Sequence, residues 1–452
     1  VGAKVIFNKY FLHSLLLLAI YALGSPKIYA GTSELSYEKF YRLNKPLYRS
    51  ESGDWLGGTY QTLPPDRKFD YFLMGDLRYY FQDNNSLNYS VQEAYLKFQV
   101  DDFSITAGRK ILDWNTNEKY WGLGYLNGLQ AFTLLSTKEE GVTGVTINKK
   151  LGNFEIEVLG SYLFIPSLNP SINFKNGDVQ SRSEWVRLPP KKTVLSGVTV
   201  PLYYKIDKYN VSDIIFNKSI GANISYKWRN GGLAAFAIYK PENHLRINAS
   251  AYYDNLNTNK VIVTASPTIN HHAYSGIQLY QAFGDIKARG GLSYVDPNAK
   301  LGKDFLFDIS NARKTFTSDY FNINPRYDKE AYAHISLNFE RPKQYILTLN
   351  YIHLLSHNIR GSDDFFSDTV KWKSTFGGGF VYYVTDTFNI GMDLKYDVIR
   401  KDNILKGEVK YNFVPQGIIA LGLEVLKAPD INSYWSYYRA SDTLYSTIGF
   451  FF

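Results

Sequence analysis

The chain has 452 residues, 45% of them hydrophobic and 20% charged. Its mean hydropathy of -0.26 is too polar for a bundle of membrane helices. The net charge is +8 and there is no cysteine, which excludes a disulfide framework, a thiolate metal site, a cysteine nucleophile and a lipid-modified cysteine.

At the N-terminus, Lys4 and Lys9 precede an apolar run from Leu15 to Leu23, followed by Ser25, Pro26 and Ile28-Tyr29-Ala30-Gly31. Positive charge, a short apolar core and a small residue before the cut read as a cleaved secretory signal peptide over residues 1–30. The core is too short to span a bilayer as a helix, and His13, Ser14 and Pro26 oppose a longer one. The segment holds Lys4, Lys9 and Lys27 and no acid, so its removal lowers the charge from +8 to +5. That is mild, and no nucleic-acid partner is expected.

Beyond Gly31, two-residue alternation recurs over runs of about ten residues, whereas helical spacing is not sustained. The clearest run sets Phe388, Ile390, Met392, Leu394 and Tyr396 against Asn389, Gly391, Asp393, Lys395 and Asp397. Aromatic residues make up 16% of the chain and favour strands and membrane interfaces. In Phe69, Tyr71, Leu73, Gly75, Leu77, Tyr79 and Phe81 they stand at the ends of the apolar face, the girdle pattern of a strand crossing hydrocarbon. Eighteen strands are predicted, starting near 69, 87, 103, 141, 154, 218, 233, 245, 260, 273, 286, 330, 344, 371, 388, 404, 418 and 442. Sixteen is the alternative count, because either face of the segments near 233, 260 and 273 reads as apolar. Threaded from one side, the short connections (Asp101-Asp102, Leu151 to Asn153, Arg229 to Gly232, Asn255 to Asn259, Gly284-Asp285, Arg341 to Lys343, Thr385 to Thr387, Pro415 to Gly417) fall at one end. The long ones, near 113–140, 166–216, 296–329, 355–370 and 428–441, fall at the other. The fold expected is all-β, an antiparallel transmembrane barrel over 69–452, with 31–68 a periplasmic or lumen-occluding segment.

The chain ends Leu444, Ser446, Ile448, Phe450, Phe452 on one face. This resembles the C-terminal strand of Gram-negative outer-membrane β-barrel proteins, and the architecture is similar to the porin-like barrels, with no subfamily motif matched. The resemblance implies the cell outer membrane as location, membrane lipid and the barrel-assembly machinery as partners, and Phe450 and Phe452 as the assembly signal.

A barrel of this size encloses a hydrated lumen. Alternation turns Arg78, Lys97, Lys227, Arg246, Lys287 and Arg289 inward as pore-lining candidates. Lys287, Arg289 and Arg246 stand out because no acid is evident on the strand before. Asp393, Lys395 and Asp397 are expected to pair with Lys406, Glu408 and Lys410 in a register that sets Asp397 opposite Lys406, Lys395 opposite Glu408 and Asp393 opposite Lys410. These six read as structural. The 166–216 loop carries Arg182, Arg187, Lys191 and Lys192, candidates for a constriction that favours anions, against the blander reading of a solvated surface loop. The 113–140 loop carries Trp114, Tyr120, Trp121, Tyr125 and Phe132, expected to pack on the barrel rim rather than form a sugar track. His271-His272 is read in an outer connection, where a metal or acid–base pair is conceivable, and His353 and His357 have helical spacing on a strand. No triad, catalytic carboxylate pair or metal set converges, so neither enzyme activity nor cofactor is expected. The function expected is a channel for passive diffusion of small hydrophilic solutes, leaning weakly to anions. The alternatives are an adhesin- or receptor-like surface barrel with an occluded lumen, to be favoured if 31–68 or the 113–140 loop blocks the pore, and a polysaccharide or other solute exporter.

Overall fold

The computed structural model describes residues 31–43, 52–62, 68–81, 87–130, 135, 138–167, 172–181, 186, 188–195, 197–207, 209–254, 259–297, 320–323, 329–356, 370–430, 433–438 and 442–452. The expected signal peptide lies outside them. Eighteen strands form one sheet: β1 Gly31–Arg42, β2 Ser52–Thr62, β3 Phe69–Tyr80, β4 Leu87–Val100, β5 Phe103–Lys110, β6 Val142–Leu151, β7 Phe154–Ser161, β8 Ser219–Trp228, β9 Gly231–Pro241, β10 His271–Phe283, β11 Ile286–Asp296, β12 Glu330–Arg341, β13 Tyr345–Leu354, β14 Ser374–Tyr383, β15 Phe388–Asp397, β16 Asn403–Val414, β17 Gly417–Lys427 and β18 Thr443–Phe451. Each is antiparallel to its neighbours, and β18 pairs with β1, from Phe451 opposite Glu34 to Thr443 opposite Arg42. The sheet is therefore closed and has no edge to leave backbone groups unpaired in hydrocarbon.

Two corrections to the sequence reading cancel in the count. Residues 31–42 and 52–62 are barrel strands, not a periplasmic or occluding segment. Conversely, the segments near 245 and 260 leave the wall. Arg246–Asp254 and Lys260–Thr268 pair with each other and join Val198–Ile206, Lys192–Leu195 and Tyr320–Ile323 in a five-stranded outer sheet. That sheet encloses its own apolar cluster of Val179, Val200, Tyr204, Ala249, Ala251, Val261 and Val263. The Asn255 to Asn259 connection thus joins two strands of the outer sheet, and its residues 255–258 lie outside the described residues.

The segregation of connections otherwise holds. At one end the strands are joined by residues 63–68, 101–102, 152–153, 229–230, 284–285, 342–344, 384–387 and 415–416; at the other, the connections run up to the 57 residues between Ser161 and Ser219. Outward-facing positions are apolar, as with Ile390, Met392, Leu394 and Tyr396 on β15, Ile335 on β12 and Leu421 on β17, all exposed. Polar side chains alternate with them toward the lumen, which is the partition a tilted strand needs between lipid and water. One extra residue at Gln92 bulges β4 against Met74 and Gly75 of β3, keeping both halves of that pair in phase with the wall.

Candidate functional site

The lumen is crossed by the segment between β5 and β6. It contains a short helix, α1 (Thr116–Trp121), capped at its start by the Asn115 side chain accepting from the Asn117 N–H, and closed by Gly122 in the left-handed region at φ 59. Beyond it, Gly128–Leu129 pairs with Glu139–Glu140. Leu112, Trp114, Trp121, Leu126 and Leu129 are all buried. They bury their surface in two clusters, against the barrel wall and against Trp372 and Trp435 of the β13–β14 and β17–β18 connections. Trp121 and Leu123 join Tyr332, Ile352, Leu354, Trp372, Ile404, Leu426 and Trp435. Leu112, Trp114 and Leu126 join Leu159, Phe236, Ile238, Tyr274 and Val295.

Polar contacts place the segment across the whole bore. The Gln130 amide donates to Asp76 on β3 at 2.8 Å, while the Tyr125 hydroxyl donates to Glu330 on β12. In a ring of eighteen strands these two walls are diametrically opposed. Between them, Asn115 donates to the Tyr274 hydroxyl on β10. His272 meets the Tyr125 carbonyl at 3.0 Å. The Tyr120 hydroxyl donates to Asp393 at 3.2 Å, and Lys395 returns a bond to the Tyr120 carbonyl at 2.8 Å. Trp372 donates to the Trp121 carbonyl at 2.7 Å. Gly377 lies where Tyr120 packs on β14; a Cβ there would collide with the ring and its hydroxyl. The loop thus enters the lumen, instead of packing on the rim.

Asp113, Thr116 and Lys119 on this loop stay exposed. Glu118 is fully buried and its carboxyl is pushed up to about 8 by burial, opposed by the Leu126 N–H that it accepts. Burial also raises Glu139. Above the loop, Lys371, Lys395 and Lys406 line a cleft with Asp393, Trp121, Trp372 and Trp435.

In overall fold the chain is similar to OpdK of Pseudomonas aeruginosa, solved with vanillate, at 9% identity, 93% coverage of this chain, 98% of that chain and a TM-score of 0.45. It is also similar to OccAB1 of Acinetobacter baumannii (11%, 93% and 95%, 0.46) and to Salmonella typhi OmpF in complex with daunomycin (8%, 93% and 97%, 0.44). No protein-family profile and no curated protein matches the chain. The barrel stands on its own strand pairings.

The predicted pore-lining bases divide. Arg78 lies 3.5 Å from Asp76, with its guanidinium 4.6 Å from the centre of the Trp55 ring. Lys97 lies opposite Asp70 in register. Lys227 pairs with Glu155 at 2.5 Å. Lys287 pairs with Glu340 at 2.9 Å; the acid comes from the strand after it, where sequence reading looked only at the strand before. Arg289 faces the lumen, opposite Ser336, and among the described residues it has no ion-pair partner. Arg246 is not on the barrel wall: it is buried in the outer sheet, paired with Glu242 and donating to the Pro297 carbonyl at 2.7 Å.

The six-residue charge pattern does not take the expected register. Asp393 faces Lys406, Gly391 faces Glu408, Asn389 faces Lys410, and Lys395 faces Ile404. The cause is the turn after β15. Asp397 is fully buried and accepts from the backbone of Lys373, Ile399 and Arg400 and from the Thr375 hydroxyl, so it serves as turn anchor. The lumen charges then pair differently: Lys406 with Glu424 at 3.1 Å, Lys410 with Glu408 at 2.6 Å and Lys395 with Asp393 at 3.8 Å.

Of the basic constriction expected from 166–216, Lys192 begins the outer-sheet strand Lys192–Leu195 and Lys191 precedes it, both exposed, with Lys191 3.5 Å from Asp178; Arg182 and Arg187 lie outside the described residues. His271 and His272 begin β10 and point to opposite faces, His271 stacked on Tyr239. They form no paired site. His357 is outside the described residues. Among the described residues no group of three or more acidic or histidine side chains is placed to hold a metal ion.

Proposed function

We propose that the protein is an outer-membrane channel for passive diffusion of small hydrophilic solutes, narrowed by its β5–β6 loop. The observation that carries this reading is a closed barrel, apolar outside and charged inside, crossed by an inward loop on which Asp113, Thr116 and Lys119 remain exposed. A polar lumen lowers the cost of moving a hydrated solute past hydrocarbon, and a loop within it sets the size limit. Membrane lipid surrounds the barrel, and Phe450 on the strand that closes it, with Phe452 just after that strand, forms the signal read by the barrel-assembly machinery.

A weak anion preference is part of this proposal. Lys287 and Glu340 are about half exposed, and such pairs are worth about 0–1 kcal/mol, so Lys287 is held loosely beside Arg289. Lys371, Lys395 and Lys406 add positive potential at the outer cleft. Reversal potential across a salt gradient tests the preference. A reversal on the anion side that moves toward zero in Arg289→Gln supports it, and a cation-side reversal contradicts it.

The buried aromatic packing of the loop and the outer sheet favour a second reading, a surface-binding barrel with an occluded lumen. Exclusion of a small sugar such as arabinose from liposomes carrying the folded barrel would select that reading over the channel.

A further inference from the structure

We infer that Tyr162, Leu163, Ile165, Val211 and Phe216 form a lipid-facing foot that completes the membrane belt over β7 and β8, rather than part of an aqueous loop, with Asp213 on its water side. The inference rests on the membrane reading above and adds a sector-specific contact to it.

The first observation is a shortfall of strand. A tilted transmembrane strand needs about 9–11 residues, and β7 has 8. Its outward series runs Phe154, Ile156, Val158, Gly160, opposite Tyr226, Ile224, Ala222 and Ile220 of β8. Aromatic rings stand at the short-turn end of this series, where Phe154 and Tyr226 lie 4.6 Å apart and Trp228 follows. At the other end the strands finish on Gly160 and Ile220, with no ring. From Trp228 to Ile220 the path is about 26 Å at roughly 3.3 Å per residue. At a tilt near 40° this covers about 20 Å of an apolar band about 25 Å tall.

The second observation is what lies just beyond. The β7–β8 register, Ser161 opposite Ser219, continues on the outward face to Tyr162 beside Lys218, whose ammonium lies 5.6 Å from the centre of the Tyr162 ring. The Phe164 N–H donates to the Ile215 carbonyl at 2.8 Å, tying the helix Val211–Ile215 to the rim. From this unit Tyr162 is 72% exposed, Phe216 69%, Val211 56%, Ile165 49% and Leu163 44%, and Ile220 below them 54%. Such a patch is costly in water. It is continuous with the lipid-facing wall, and it ends in an aromatic ring and a lysine, the pair that anchors a membrane interface by placing the ring among headgroups and the ammonium at their phosphates. The occupant is thus the lipid of the leaflet at the long-loop end.

The native chain has no cysteine, so single cysteines report cleanly. Full-length Phe216→Cys, Tyr162→Cys, Ile335→Cys and Lys191→Cys would each carry a nitroxide in vesicles of phosphatidylcholine and phosphatidylglycerol, with collisions measured against oxygen and a water-soluble nickel chelate. The expected result is an oxygen-to-nickel ratio at 216 and 162 severalfold above that at 191 and near that at 335. A ratio at 216 and 162 equal to that at 191, with 335 still lipid-exposed, overturns the foot and leaves the barrel intact. Protection from both reagents with spin–spin broadening also overturns it, in favour of a second copy of the chain. A water-like ratio at 335 means that the membrane reading itself has failed.

Discussion

The β5–β6 loop and the β7–β8 loop are both long, aromatic and charged, yet one enters the lumen and the other contributes strands to a separate sheet. The difference lies in what each finds to bury against. Leu112, Trp114, Trp121 and Leu126 meet lumen-facing apolar residues of the outer barrel half, Phe236, Ile238 and Tyr274 on one wall and Tyr332, Ile352 and Leu426 on the other. Val200 and Tyr204 of the second loop meet Val261, Val263, Ala249 and Ala251 from the β9–β10 connection instead. A loop enters this barrel where the wall itself offers apolar partners, and stays outside where another loop does.

The sharpest way to break that comparison is Trp121→Ala. Truncation of this buried ring is expected to cost about 3–5 kcal/mol of packing and to give larger, noisier single-channel steps, whereas Val263→Ala, costing about 1.5–3 kcal/mol, should destabilise the outer sheet in proteolysis without changing the steps. Next in size, Ile335→Arg on the lipid face near the middle of β12 is expected to cost about 2–4 kcal/mol of barrel stability in urea unfolding, while Arg at Ser336 on the lumen face should cost less. Asp397→Ala strips three backbone N–H groups and one hydroxyl of their acceptor. About 1–3 kcal/mol is the cost expected for a buried donor left unmet, seen as faster hydrogen exchange at Lys373 and in the β15–β16 turn.

A smaller effect follows from Glu118. Its carboxyl titrates near 8 in the packed loop against 4.5 when released, so the packed loop holds the proton. Packing is strongest below about pH 4.5 and weakens as pH rises through 8. Loop proteolysis should accelerate over that window in the native protein and be flat in Glu118→Gln.

Much of the wall was legible in the sequence because lipid and lumen impose opposite chemistry on adjacent residues, as in Ile390 to Asp397. The first two strands were hidden because that alternation is broken there. Trp55 and Phe40 turn to the lumen side while Lys39 and Asp54 face outward near the rim. Ile247, Ala249, Ala251 and Tyr253 misled in the other direction, since alternation is the same whether the apolar face meets lipid or a small core. Within the site, Trp114, Tyr120, Trp121 and Tyr125 were visible as rings needing burial, but their destination depends on Tyr274, Glu330 and Asp393, more than a hundred residues away. The register of β15 against β16 was lost to Asp397, whose turn bonds outweigh the cross-strand charge pairs.

The most direct test of the account is single-channel conductance of the refolded barrel before and after replacing residues 113–138 with a short glycine–serine linker, folding being checked by circular dichroism and heat-modifiable migration. The account predicts steady steps for the native chain and a severalfold larger conductance without the loop. No steps from the folded native barrel, or equal steps from both proteins, would contradict a channel narrowed by this loop.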